Sequence, residues 1–208
     1  MKKLILIGLI VLISGCATVP KKDYTAFNLA APRSILIVPV VNRSVDVDAP
    51  NYFLSSITIP VAEQGYYVFP VNAVKRVLED NGLSDADMVH KALAPKLAAL
   101  FGADAVLYIS INRWDARWMF LSTTVTVDLS YVIKDGKTGD VLWADSRSVK
   151  YTPQGASGGN ALADLIVDVA QAAMTKAAPN YMPLARQANA EAFKYPGPGI
   201  PPGPYSRK

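Results

Sequence analysis

The apolar period of this 208-residue chain changes at Ala105, and that change limits the folds open to it. Ahead of it, Ser34-Ile35-Leu36-Ile37-Val38-Pro39-Val40-Val41 is a continuous apolar run rich in β-branched residues, the pattern of a strand buried on both faces. The segments that follow carry helical spacing. From Ala105 onward the repeat is two, and Val106 to Ile111, Thr123 to Lys134 and Val141 to Ala144 read as strands of a meander. A chain with helices in its first half and hairpin-linked strands in its second is expected to be a single α/β domain, with a mixed sheet and helices packed on it.

Within the helical half, Phe53, Ile57 and Val61 stand four apart and share one face, with Pro60 predicting a kink or early end. Gly65 stops that helix. Tyr66 to Val71 has the aromatic and β-branched content of a short strand, and Asn72 is placed to cap a helix carrying Val74, Val77 and Leu78 up to Asn81-Gly82. Ser84-Asp85-Ala86-Asp87 resembles a capping box for a third helix with Val89, Leu93, Leu97, Leu100 and Phe101 on its apolar side, which Pro95 divides. In the second half, Asp135 to Asp140 has glycines where a tight turn needs positive φ. Residues 152–160 read as a connector and Leu162 to Ala178 as an amphipathic helix. Residues 181–208 read as a Pro/Gly-rich tail, with room for one short helix between Leu184 and Phe193.

The amino terminus sets the compartment. Lys2 and Lys3 precede an apolar run from Leu4 to Ile13, about half the roughly 20 residues needed to span a bilayer, so residues 1–15 read as a signal peptide. Ile13-Ser14-Gly15-Cys16 resembles the bacterial lipobox, which implies cleavage before Cys16 and acylation of its thiol and new amine. Cys16 is the single cysteine; it has no disulfide partner within the chain, and acylation removes a thiol that an oxidising compartment would endanger. Two or three acyl chains anchor stably where one does not. The lipoprotein resemblance implies outer-membrane sorting, since Ala17 replaces the aspartate that favours inner-membrane retention; of the two sides the domain could face, periplasm and cell surface, the periplasm is the favoured one. Residues 16–32 are expected to be a lipidated tether and residues 33–180 the folded domain.

The charge is too small to imply nucleic acid, and no such partner is expected. The formal charge of +4 falls to about +2 when Lys2 and Lys3 leave, and no run of five like charges forms a basic arm. Gly155-Ala156-Ser157-Gly158-Gly159 spells a hydrolase elbow, but the single histidine, His90, lies upstream of it, so no histidine base follows. Asp46 with Asp48, and Asp85 with Asp87, lack the spacing of a calcium loop. No phosphate-binding glycine loop is present. No catalytic residue, metal site or cofactor is expected, and His90 reads as a surface or boundary residue on a helix.

The candidate interaction surface is Arg113, Trp114, Arg117 and Trp118. If the strand continues that far, alternation sets Trp114, Ala116 and Trp118 on one face and Arg113, Asp115 and Arg117 on the other. One reading is a core face backed by a wet face. The other takes the tryptophan and arginine as docking hot spots.

The order of an apolar strand ending at Pro39, Gly65-Tyr66-Tyr67-Val68, Gly102-Ala103-Asp104-Ala105-Val106-Leu107 and Lys137-Thr138-Gly139-Asp140-Val141-Leu142-Trp143 resembles a family of bacterial lipoproteins of unknown function. Its domain is similar to the amino-terminal domain of TolB and the periplasmic domain of CsgG. The resemblance covers residues 33–180 and implies fold and compartment more than mechanism. It implies a non-enzymatic outer-membrane lipoprotein that docks in a cell-envelope complex, with envelope proteins, a CsgG-like partner or further copies of itself as partners. Binding of a small envelope ligand, a peptidoglycan fragment or lipid, is the alternative.

Overall fold

The computed structural model describes residues 22–119, 122–151 and 181–206, leaving aside the side chains of 117–119 and 122–123. The elements run α1 (Thr25–Ala30), β1 (Ser34–Ile37), β2 (Val41–Asn42), α2 (Ala49–Glu63), β3 (Tyr67–Val68), α3 (Val71–Asp80), α4 (Ala86–Lys91), α5 (Ala94–Phe101), β4 (Ala105–Met119), β5 (Ser122–Asp135), β6 (Val141–Tyr151) and α6 (Met182–Phe193). One mixed sheet has the order β3-β1-β4-β5-β6, and β2 also pairs with β4. The pairings of β1 with β3 and β4, and of β2 with β4, are parallel, because helices carry the chain between these strands. Those of β4 with β5 and β5 with β6 are antiparallel. The mixed α/β sheet with a terminal hairpin is the architecture that the change of period predicts.

β1 is buried on both faces. Ile35 and Ile37 join α2 and α6 on one side of the sheet, while Leu36 and Val38 meet α3, α4 and α5 on the other. Phe53, Ile57 and Val61 are all fully buried, so the four-residue stripe of α2 faces the core as its spacing predicts. Pro60 does not end that helix, which runs on to Glu63. A proline forfeits one hydrogen bond, and the buried Ile57 and Val61 hold the helix on either side of it. Asn72 is not the cap of α3; Pro70 occupies that place without a side-chain bond. Pro95 divides the next segment as expected, and the extended backbone at Ala92 and Leu93 re-aims the stripe. Val89 and Leu97 are therefore buried while Leu93 and Leu100 are exposed.

The start of the sheet is stitched by Asp104. Its Oδ2 accepts from the backbone N–H groups of Arg33 (2.9 Å) and Ser34 (3.0 Å) and from Ser34 Oγ (3.0 Å), and Ser34 Oγ accepts in return from Asp104 N. Its carbonyl accepts from Gly136 N (2.7 Å), where a Cβ would strike the backbone of Ala103 and Asp104. In the same turn, Asp135 Oδ1 accepts from Lys137 N and Thr138 N, and Gly139 adopts φ +82°.

The domain boundaries differ from those expected. Within the segment read as tether, α1 buries Phe27 against Tyr66, and Lys22 bonds Asp145. The segment read as tail contributes α6, with Leu184, Ala185 and Phe193 buried, and Ile200 beyond it at 0% exposure. Asn189 of α6 accepts from Tyr131 Oη (2.6 Å) and donates to Ser56 Oγ (2.9 Å), tying β5, α6 and α2 through one buried amide. Past α6, Tyr66 Oη donates to Pro201 O (2.6 Å), Gly203 N to Gln64 O (2.7 Å) and Tyr205 N to Gly65 O (3.0 Å). Gly65, at φ +88°, has no room for a Cβ beside the backbone of Ser206. Proline and glycine composition reads as solvated chain, yet here the glycines permit backbone to lie against backbone.

Phe27→Ala is expected to cost about 3–5 kcal/mol of unfolding free energy in urea titrations, the range for truncating a buried phenylalanine. A dispensable tether residue would show almost none.

Candidate functional site

The interruption after β1 shapes a surface site at the end of the parallel strands. Val38 still donates to Leu107 O (3.3 Å), but Pro39 has no N–H to offer, and pairing resumes only at Val41. Asn42 then organises the loop into α2. Its Oδ1 accepts from Ser44 N (3.0 Å) and Ser44 Oγ (2.7 Å), and its Nδ2 donates to Asp46 O (2.7 Å). Asp46 Oδ1 accepts from Asp48 N (3.0 Å), and Asp48 O accepts from Asn51 N and Tyr52 N at the start of α2. Short polar side chains at alternate positions thus satisfy the loop from within.

The residues between them point out. Val45 is 92% exposed and Val47 83% exposed, and Tyr52 on the next turn is also exposed. Across from this loop, Asp85 caps α4 by accepting from Met88 N (2.9 Å), and Asp87 pairs with Arg43 at 3.0 Å. The two sides enclose a cleft of ≈ 410 Å³, with Val40, Val47, Leu54 and Leu83 among its apolar walls and Lys75 and Glu79 among its polar ones. It lies beyond the carboxyl ends of the parallel strands β1 and β2, where open α/β sheets place their ligands.

His90, on α4, reaches Pro39 of the cleft wall. Its Nε2 lies 3.0 Å from Pro39 O, and its ring meets Tyr108 edge-on at 5.2 Å. Burial lowers its pKa, with Arg43 and Lys134 adding to that and the Pro39 carbonyl and Asp87 opposing it. The boundary role expected of His90 is the one it has. Burial pushes the Tyr108 hydroxyl up to about 12, while Lys134 Nζ lies 5.2 Å from the ring centroid. Asp46 and Asp85 spend their carboxylates on backbone N–H groups, and the described residues contain no group of three or more His, Cys, Asp or Glu placed to hold a metal.

The structure separates the residues of the expected interaction surface. β4 continues to Met119, with a register shift between Ile111 and Arg113. Trp114 is 1% exposed in the core and packs on Tyr181 at 5.3 Å, whereas Arg113 turns to the opposite face and pairs with Asp128 at 3.5 Å. Trp114 is therefore a core residue and not a docking residue; a buried indole contributes most where it displaces water. Arg117 and Trp118 belong to β4 by backbone, and their side chains lie outside the described residues. Cys16, the Gly155 to Gly159 pattern and the helix read at Leu162 to Ala178 also lie outside them. The outward Val45 and Val47 are not among the residues that the sequence singled out; the alternation of Asn42, Ser44, Asp46 and Asp48 was the available signal.

A family model described as "Putative lipoprotein GNA1162-like" matches residues 22–205. The chain belongs to that lipoprotein family. It is 37% identical over 153 residues to "Putative lipoprotein NMB1124/NMB1162" of Neisseria meningitidis serogroup B (strain ATCC BAA-335 / MC58), covering 72% of this chain and 71% of that relative. The crystal structure of lipoprotein GNA1162 from N. meningitidis superposes with a TM-score of 0.58 at 32% identity, over 69% of this chain and 99% of that one. The family match begins at Lys22 and ends at Tyr205, and so takes in α1, α6 and the segment after α6 along with the α/β core. No helix among the described residues is long and apolar enough to cross a membrane.

Since the unfolded chain protonates a histidine near pH 6.5 and the folded His90 resists it, stability is expected to hold above that pH. It then declines as pH falls below it, by no more than about 1.4 kcal/mol per pH unit. Urea titrations from pH 7.5 to 5.5 measure the slope, and His90→Gln should flatten it.

Proposed function

We propose that this family member is a non-enzymatic lipoprotein of the outer membrane, anchored through acylated Cys16, that docks to other envelope proteins from the periplasmic side. The observation that carries the docking reading is the loop from Asn42 to Asp48. It spends its polar groups on its own backbone and leaves Val45 and Val47 almost wholly exposed. A loop fixed in this way loses little conformational freedom on binding, and its two valines add apolar area to be buried. Membership of a lipoprotein family supports the compartment, and the Ile13-Ser14-Gly15-Cys16 pattern supports the site of attachment.

The cleft beside the loop is large enough for a small envelope ligand. Two of its carboxylates are nevertheless engaged with neighbours, Asp85 with Met88 N and Asp87 with Arg43, instead of converging on the cavity. This arrangement favours a protein partner over a peptidoglycan fragment or lipid.

Two variants test the two halves of the proposal. Cys16→Ser should abolish incorporation of labelled fatty acid and move the protein out of the membrane fraction; retention of both would overturn the anchor. Val45→Asp with Val47→Asp should leave the unfolding transition within about 0.5 kcal/mol of the parent, as for exposed substitutions. In-cell crosslinking with mass spectrometry should then lose the heterologous contacts seen with the parent. Unchanged contacts would overturn docking through this loop.

A further inference from the structure

We infer that the surface formed by Tyr24, Lys194 and Tyr195 rests on the lipid headgroups of the membrane that holds the chain's own acyl groups. The inference rests on acylation of Cys16 and adds where the folded domain must then sit. Six peptide units separate Cys16 from Lys22, and at full extension they reach roughly 20 Å, whatever conformation they take. Beyond Lys22 there is no further slack. Its Nζ bonds Asp145 Oδ1 at 3.1 Å and Pro198 O at 2.9 Å and lies 4.6 Å from the centre of the Trp143 ring. Tyr24 Oη shares its one proton between Gly197 O, at 2.9 Å, and Gly199 O, so the residues around Tyr24 and the segment after α6 hold each other. The β4 strand alone extends about 50 Å at 3.3 Å per residue, so a tether of this length keeps the face around Lys22 close to the bilayer relative to the size of the domain.

The surface beside the exit point has the chemistry of a membrane interface. Tyr195 is 42% exposed and meets Tyr24 edge-on at 6.0 Å, and Lys194 next to it is exposed. Aromatic rings with a polar tip are favoured at headgroup level, and lysines there carry their charge toward lipid phosphates. Trp143 Nε1 donates to Pro198 O (2.8 Å), fixing this segment to the edge strand β6 so that it presents a set surface.

The test uses the full acylated protein in vesicles of phosphatidylethanolamine and phosphatidylglycerol. A nitroxide is placed at Tyr195→Cys, at Lys194→Cys or, as the comparison, at Val47→Cys; acylated Cys16 offers no competing thiol. Paramagnetic nickel-chelating lipids should broaden the signals at 195 and 194 severalfold more than at 47. Inserting ten Gly/Ser residues between Val19 and Pro20 should reduce that difference. Acylated protein with equal broadening at all three positions would overturn this inference alone. An intact mass lacking acyl chains would overturn the anchor itself, and this inference with it.

Discussion

The carboxylate of Asp104 is the junction on which the sheet depends. It binds the two N–H groups that open β1, while its own backbone opens β4 and receives Gly136 from the turn between β5 and β6. One residue therefore sets the parallel register of β1 against β4 through its side chain and the position of the hairpin turn through its backbone carbonyl. An ionised acceptor bonded to several donors is stronger than a neutral one, and three of its partners sit within two consecutive residues. Because β4 pairs in parallel on one side and antiparallel on the other, an error in its starting position would propagate into both halves of the sheet.

The elements legible in the sequence are those whose reason is local. The run from Ser34 to Val41 is apolar throughout because both faces of β1 are covered. The spacing of Phe53, Ile57 and Val61 is helical because α2 lies along the sheet, and Asp135 to Asp140 is rich in turn residues because the hairpin must reverse there. What could not be read has a reason far away in the chain. Nothing near Ile200 shows that it fills space between other elements, and nothing near Phe27 shows that Tyr66 awaits it. Pro/Gly-rich composition describes a chain in isolation, whereas the glycines at 199 and 203 are sites where two backbones touch.

The candidate site was legible only in part. Alternation correctly placed Trp114 and Arg113 on opposite faces, but it carries no information about which face is covered, and helix α6, which helps to cover it, comes from a segment read as tail. The loop at Asn42 to Asp48 shows the opposite failure. Its polar residues were visible, yet their side chains turn inward to the backbone and leave the valines outside, inverting the usual expectation for a soluble turn.

The contacts of residues 200–206 carry a further consequence for biogenesis. Ile200 completes the core, and the backbone from Pro201 to Ser206 closes over Gly65 and Tyr66, which are made well before them during synthesis. Until the final stretch is delivered, the core lacks its last side chain and Gln64 and Gly65 lack partners for their carbonyls. A chain that has not yet delivered these residues stays short of its final packing, and it completes that packing only when they arrive.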